Sequence, residues 1–179
     1  MNYRLRRIAA AGLFAALALA TSYAMAAVPN VKFFDVCLFI AGIFLGFWGG
    51  IVVPLVAGSI YILFNPNGPQ TILIVGIAQI AGFMMFGIAG AIFRKMILAN
   101  RNHYVGMVFC AAIGVVVTFI YDIITNAAWG YSMGAVRPVI ISGIAFSLVH
   151  MGFNGLIFGL AEPLVVKLWQ VAKPYLYSR

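Results

Sequence analysis

The sequence predicts an all-α, polytopic membrane protein with six transmembrane helices and both termini cytoplasmic. Three observations carry that prediction: composition, the length of the apolar runs, and the placement of charge. Of 179 residues, 65% are hydrophobic and 8% charged. A soluble domain has roughly 45–50% and about 25%, so this chain lacks the polar surface to cover itself in water. The apolar content also excludes disorder, and Cys37 and Cys110, both inside apolar runs, exclude a disulfide scaffold. The runs, near 8–28, 34–64, 71–93, 104–129 and 139–162, are continuously apolar. Barrel strands would alternate apolar and polar in segments of about ten residues, whereas a spanning helix needs about 20 apolar residues in a row.

The first helix, 8–28, follows Arg4, Arg6 and Arg7. This start, with Ala24-Met25-Ala26 after the apolar stretch, also mimics a cleavable signal peptide. The stretch runs on to Val28, long for a signal core, and an uncleaved helix is expected. The 34–64 run is too long for one span. Gly46, Gly49 and Gly50 around Trp48 suit a tight turn, and Pro54 then falls in the first turn of the next helix, where proline is tolerated. The predicted second and third helices are therefore short, 34–47 and 50–64. Helices at 71–93, 104–129 and 139–162 follow, the last running past Pro163 into an amphipathic tail with Lys167 and Lys173. Trp169 and Tyr175 suit the interface there. The whole chain, 1–179, reads as one transmembrane domain without the internal repeat of an inverted-repeat carrier.

The net charge of +8 comes from 11 Lys+Arg against 3 Asp+Glu. Six spans from a cytoplasmic N-terminus put Arg4, Arg6, Arg7, Arg94, Lys95, Arg101, Lys167, Lys173 and Arg179 inside, leaving Lys32 and Arg137 outside. Five spans would carry the basic 94–103 loop out. The positive-inside rule selects six, so the charge is an orientation signal rather than a nucleic-acid footprint.

Scarce charges make the embedded polar residues informative. A carboxylate at the bilayer centre costs about 2.5–3.5 kcal/mol on insertion scales, so Asp122 needs a partner, water or a ligand. Counted from the inner end, it lies roughly 27 Å up its helix, in the outer part. Asp122, Asn126 and Trp129 share a face by i, i+4, i+7 spacing, with Thr118 and Thr125 nearby. That face is either an interhelical hydrogen-bond cluster or a binding wall. Ser147, His150 and Asn154 form a second stripe, with Gly143 extending it. His150 counts to about 16 Å below the outer end, near mid-depth, and is either satisfied structurally or facing a cavity. His103 is expected in solvent, and Glu162 at the interface where its helix leaves the membrane.

The outer loops carry Asn30, Lys32 and Asp35, then Asn65, Asn67 and Gln70, then Tyr131 and Arg137. Asn65-Pro66-Asn67-Gly68-Pro69 is a rigid turn cluster: an ordinary connection, or a lid over a cavity lined by Gln79, Asp122, Asn126, Trp129 and His150. Lys32 and Arg137 break the charge trend and suit local pairing, Lys32 with Asp35, or an anionic ligand group. On the first helix, Ala11 and Ala15 lie on one face with Gly12 and Ala16 beside it. Such small-xxx-small faces serve close helix packing, either internal or against another membrane protein. Gly42 and Gly46 mark close packing or the turn. The chain holds no Walker A sequence, no H-E-x-x-H and no G-x-S-x-G. Neither a metal site nor a cofactor is expected, and no catalytic residue is assigned.

The size, the six predicted helices, the Arg6-Arg7 start followed by Ala11-xxx-Ala15, the glycine-rich inner turn and the polar outer ends of the last three helices together resemble the substrate-binding membrane subunits, or S components, of energy-coupling factor (ECF) vitamin transporters. The resemblance covers nearly the whole chain. It implies a prokaryotic cell-membrane protein that binds a vitamin or related micronutrient in an outward cavity. That cavity would be built by the 29–35, 65–71 and 130–138 segments with helices four to six. Implied partners are a transmembrane coupling protein, contacted at Ala11 and Ala15, and two cytoplasmic ATPases, so the chain itself is not expected to be an enzyme. Two other readings stay open. One is an intramembrane enzyme using Asp122 and His150 as an acid/base pair on a lipid or isoprenoid, against which their differing depths count. The other is an autonomous channel or carrier.

Overall fold

The computed structural model describes residues 3–28, 31–66 and 68–177. Asn30 and Asn67, both expected at the site, lie outside them. The described chain is all-α: α1 Tyr3–Ala24, α2 Phe33–Leu63, α3 Leu73–Ala99, α4 His103–Ser132 and α5 Val136–Tyr177. Each is long and apolar enough to cross a membrane.

α2 is two arms. Gly46 breaks it with φ 74° and ψ −164°, a left-handed region that glycine enters without penalty. The chain reverses there. The rings of Phe34 and Tyr61, far apart in sequence, are 5.0 Å apart, and both pack on Phe83 of α3. The arms, 33–45 and 47–63, are about 20 and 26 Å long at 1.5 Å per residue. The predicted turn at 46–50 thus shrinks to Gly46, the second arm begins earlier than expected, and Pro54 sits inside it with its ring against Gly87.

Glycines set how closely α2 approaches α3. A Cβ at Gly42 or Gly50 would run into the Gly87 carbonyl, and one at Gly90 into the carbonyl of Phe39. Without a hydrophobic drive between helices in lipid, such backbone proximity supplies the packing. α4 and α5 pair in the same way, with Gly114 against Phe158 and Gly155 against Val115.

Reversal at Gly46 leaves the last carbonyls of the first arm without intrahelical partners. Arg7 of α1 donates to the Leu45 carbonyl and Tyr177 Oη donates to that of Phe44 at 2.9 Å. The Arg7 guanidinium also lies 5.1 Å from the Tyr177 ring, and Arg94 of α3 covers Trp169 and Tyr177 at 4.5 and 4.9 Å. Cations suit the negative end of a helix dipole. The tail of α5 is therefore continuous helix through Pro163 to Tyr177, folded against this basic end of the bundle. α3 likewise runs through Arg94 and Lys95, which shortens the expected 94–103 loop to 100–102. Asn102 caps α4, accepting from the amides of Tyr104 and Val105.

Candidate functional site

The opposite end of the bundle, where Lys32 precedes α2, holds a buried polar network. Asp35 of α2, Thr118 and Asp122 of α4, and His150 and Asn154 of α5 are all 5% exposed or less. His150 Nδ1 is 3.0 Å from Asp122 Oδ1 and its Nε2 is 3.4 Å from Asp35 Oδ2. Asn154 Nδ2 donates to Asp35 Oδ2 at 2.9 Å and to Thr118 Oγ1 at 2.8 Å. A carboxylate only accepts, so with both ring nitrogens protonated His150 bridges the two acids and cancels one of their charges. Asp35 Oδ1 and Asn154 Oδ1 are buried without a hydrogen-bond partner among the described residues.

The depth expectation for Asp122 and His150 is thereby corrected. Counting from estimated helix ends separates them, but the antiparallel pairing of α4 and α5 brings them level. Gly143 fixes part of that register, because a Cβ there would meet the Asn126 amide at 2.7 Å.

Two cavities flank the network. The first, of about 300 Å³, opens at the Lys32 end and is lined by Ser22, Met25, Ala26, Val28, Val31, Lys32, Tyr61, Asn65, Gln79, Tyr121 and Phe146. Lys32 Nζ lies 5.7 Å from the centre of the Tyr121 ring. Tyr121 is itself stacked on Phe83 and edge-on to His150. Gly82 makes room for it, since a Cβ there would strike the tyrosine ring. The second, of about 270 Å³, is an apolar groove between α4 and α5 with Asp122, Asn126 and Ser147 on its wall.

The residues expected at the site divide accordingly. Lys32, Asn65 and Gln79 line the first cavity. Asp35, Asp122, His150 and Asn154 form the network beside it. Asn126 faces the groove. Trp129 packs with Val75, Ala78 and Ala128, away from both spaces. Arg137 is exposed and lines neither. Lys32 and Asp35 do not form the ion pair their spacing allowed; Asp35 is instead held by Asn154 and His150. Sequence reasoning missed Tyr61, Tyr121, Phe146 and Ser22. Tyr121 is next to Asp122 in sequence and so points about 100° around the helix from it, into the first cavity rather than the groove.

At the basic end, Glu162 is 1% exposed and its Oε2 is 3.1 Å from His103 Nδ1. Glu162 is thus buried within the protein, and His103, half exposed, is paired with it. Gly106 admits the carboxylate, because a Cβ there would collide with Glu162.

On α1, Ala15 is buried in the core and Ala11 is half-buried, lining a groove beside Trp48 and Val52. The small residues left exposed are Ala9, Gly12, Ala16, Ala20 and Ala24, with nothing within 4 Å of a Cβ at Gly12.

Compared with family models, curated proteins and solved structures, the chain has no match.

Proposed function

We propose that this chain is the substrate-capture subunit of an ECF-type importer in a prokaryotic cell membrane, holding a vitamin or related micronutrient in the cavity at the Lys32 end. The observation that carries the reading is that cavity: a polar pocket of about 300 Å³ at the end of an otherwise apolar bundle, bordered by every helix. Small-molecule sites are concave, largely apolar and served by a few convergent polar groups. Its position opposite Arg4, Arg6, Arg7, Arg94 and Arg101 fits an outward opening under the positive-inside rule. In this reading the two arms of α2 are separate short spans, six in all, with both termini cytoplasmic. The coupling protein docks on α1 through Gly12 and Ala16, one position on from the expected Ala11 and Ala15, since Ala15 is used inside the bundle. Two cytoplasmic ATPases supply the nucleotide chemistry.

The contact between His150 and Asp122 removes the depth objection to an intramembrane acid/base enzyme. Against that reading, both ring nitrogens of His150 face carboxylates and its side chain is fully buried, so it has no free nitrogen to offer a substrate.

The test is uptake. Cells expressing this chain with a coupling protein and two ATPases are expected to accumulate a micronutrient, and Walker A lysine variants of the ATPases to abolish it. Uptake into liposomes by this chain alone would overturn the proposal in favour of an autonomous carrier. Conversion of a lipid or isoprenoid substrate by the purified chain would overturn it in favour of an enzyme.

A further inference from the structure

We propose that the ligand is a small ring compound carrying an anionic group, with the anion on Lys32 and the ring held among Tyr61, Tyr121 and Phe146. This rests on the capture reading above and adds the chemistry of what is captured.

The charge argument starts from the cavity wall. Lys32 is the one charged side chain among the described lining residues, and no ion pair involves it among the described residues. Its recorded contact is the face of Tyr121 at 5.7 Å, a weaker interaction than an ion pair in a site shielded from water. The two acids nearest in the fold do not serve it. Asp122 is engaged by His150, while Asp35, at 1% exposure, is engaged by Asn154 and His150 and lines neither of the two cavities. An entering carboxylate or phosphate would therefore meet an ammonium that no carboxylate among the described residues pairs with.

The shape argument concerns the rest of the molecule. Three aromatic rings border a space of about 300 Å³, the lower end of the range for small-molecule sites. That suits one or two fused rings with a short acidic arm and excludes a macrocycle. Gln79, on the cavity wall, offers an amide donor and acceptor for ring heteroatoms. Stacking supplies affinity without demanding one ring identity, and the lysine supplies discrimination by charge.

The experiment uses the full chain, stripped of copurified small molecules and reconstituted in nanodiscs. Binding is measured for matched pairs that differ only in charge, each a ring carboxylate and its primary amide: pyridine-3-carboxylate, indole-3-acetate and pteroate, each with its amide. At least one acid is expected to bind, with its amide at least about tenfold weaker, the loss typical of a buried charge-assisted hydrogen bond. Lys32→Met should lower the acid to the level of its amide, while Lys32→Arg, which keeps the charge, should retain most of the affinity. An amide or a cationic ring compound binding as tightly as the acid, or a Lys32→Met protein that binds the acid normally, would overturn the charge assignment and leave the capture reading standing. Failure of the wild-type chain to bind any acid, any amide or any of a broad vitamin panel would defeat the capture reading and this inference together. The acid-to-amide comparison needs no variant and survives a misfolded Lys32→Met protein.

Discussion

The two ends of the bundle use cations in opposite ways. At the basic end, Arg7 caps the Leu45 carbonyl and lies on the ring of Tyr177, while Arg94 covers Trp169 and Tyr177. These charges are absorbed in closing a helix break and fastening the tail of α5. At the other end, Lys32 hangs over Tyr121 in a cavity, and the acids nearby are bridged by His150 instead. The same charge type is structural where backbone carbonyls have been orphaned, and available where a histidine has taken over the pairing. Sequence charge counts treat both groups alike, as marks of orientation.

Removing His150 should do most to break this contrast. His150→Ala leaves Asp35 and Asp122 buried without their shared partner, and breaking a buried ion pair costs about 3–5 kcal/mol. A large fall in the thermal unfolding midpoint in detergent is expected, and an unchanged midpoint would mean the network is not structural. Arg7→Ala comes next. It frees the Leu45 carbonyl and removes the contact with Tyr177, for a loss of about 1–2 kcal/mol, with ligand affinity unaltered because the cavity lies at the far end. Tyr177→Phe deletes only the hydrogen bond to the Phe44 carbonyl and should cost about 1 kcal/mol in the same assay. Arg137→Ala sharpens the comparison from the other side: as an exposed residue lining neither cavity, it should shift stability by no more than about 0.5 kcal/mol and leave binding unchanged. A strong binding defect there would return Arg137 to the site.

Much of the fold was legible. Continuous apolar runs located every helix, and the glycines around Trp48 announced a reversal in the 34–64 run. They did not say which glycine would carry it. That depended on the Gly42, Gly50 and Gly87 contacts, which belong to the packing of α2 on α3 rather than to local propensity. The tail was foreseen as an amphipathic continuation past Pro163 but not its docking, because its partners, Phe44, Arg7 and Arg94, come from distant segments. The site was half legible. Asp122, His150 and Asn154 stand out as polar groups in apolar helices, and spacing put each on a stripe, whereas Asp35 read as an outer-loop residue. Which stripes face each other depends on the stagger of α4 and α5, a quantity no single helix encodes. Tyr61, Tyr121 and Phe146 carried no signal, since an aromatic residue in an apolar helix looks like core.

Native mass spectrometry of the gently purified full chain tests the central claim most directly. The account predicts a noncovalent small molecule on the wild-type protein, carried at much reduced occupancy by Lys32→Met and at full occupancy by Arg137→Ala. A wild-type chain that carries no ligand and acquires none from a broad vitamin panel, or one whose ligand is held equally by Lys32→Met, would contradict it.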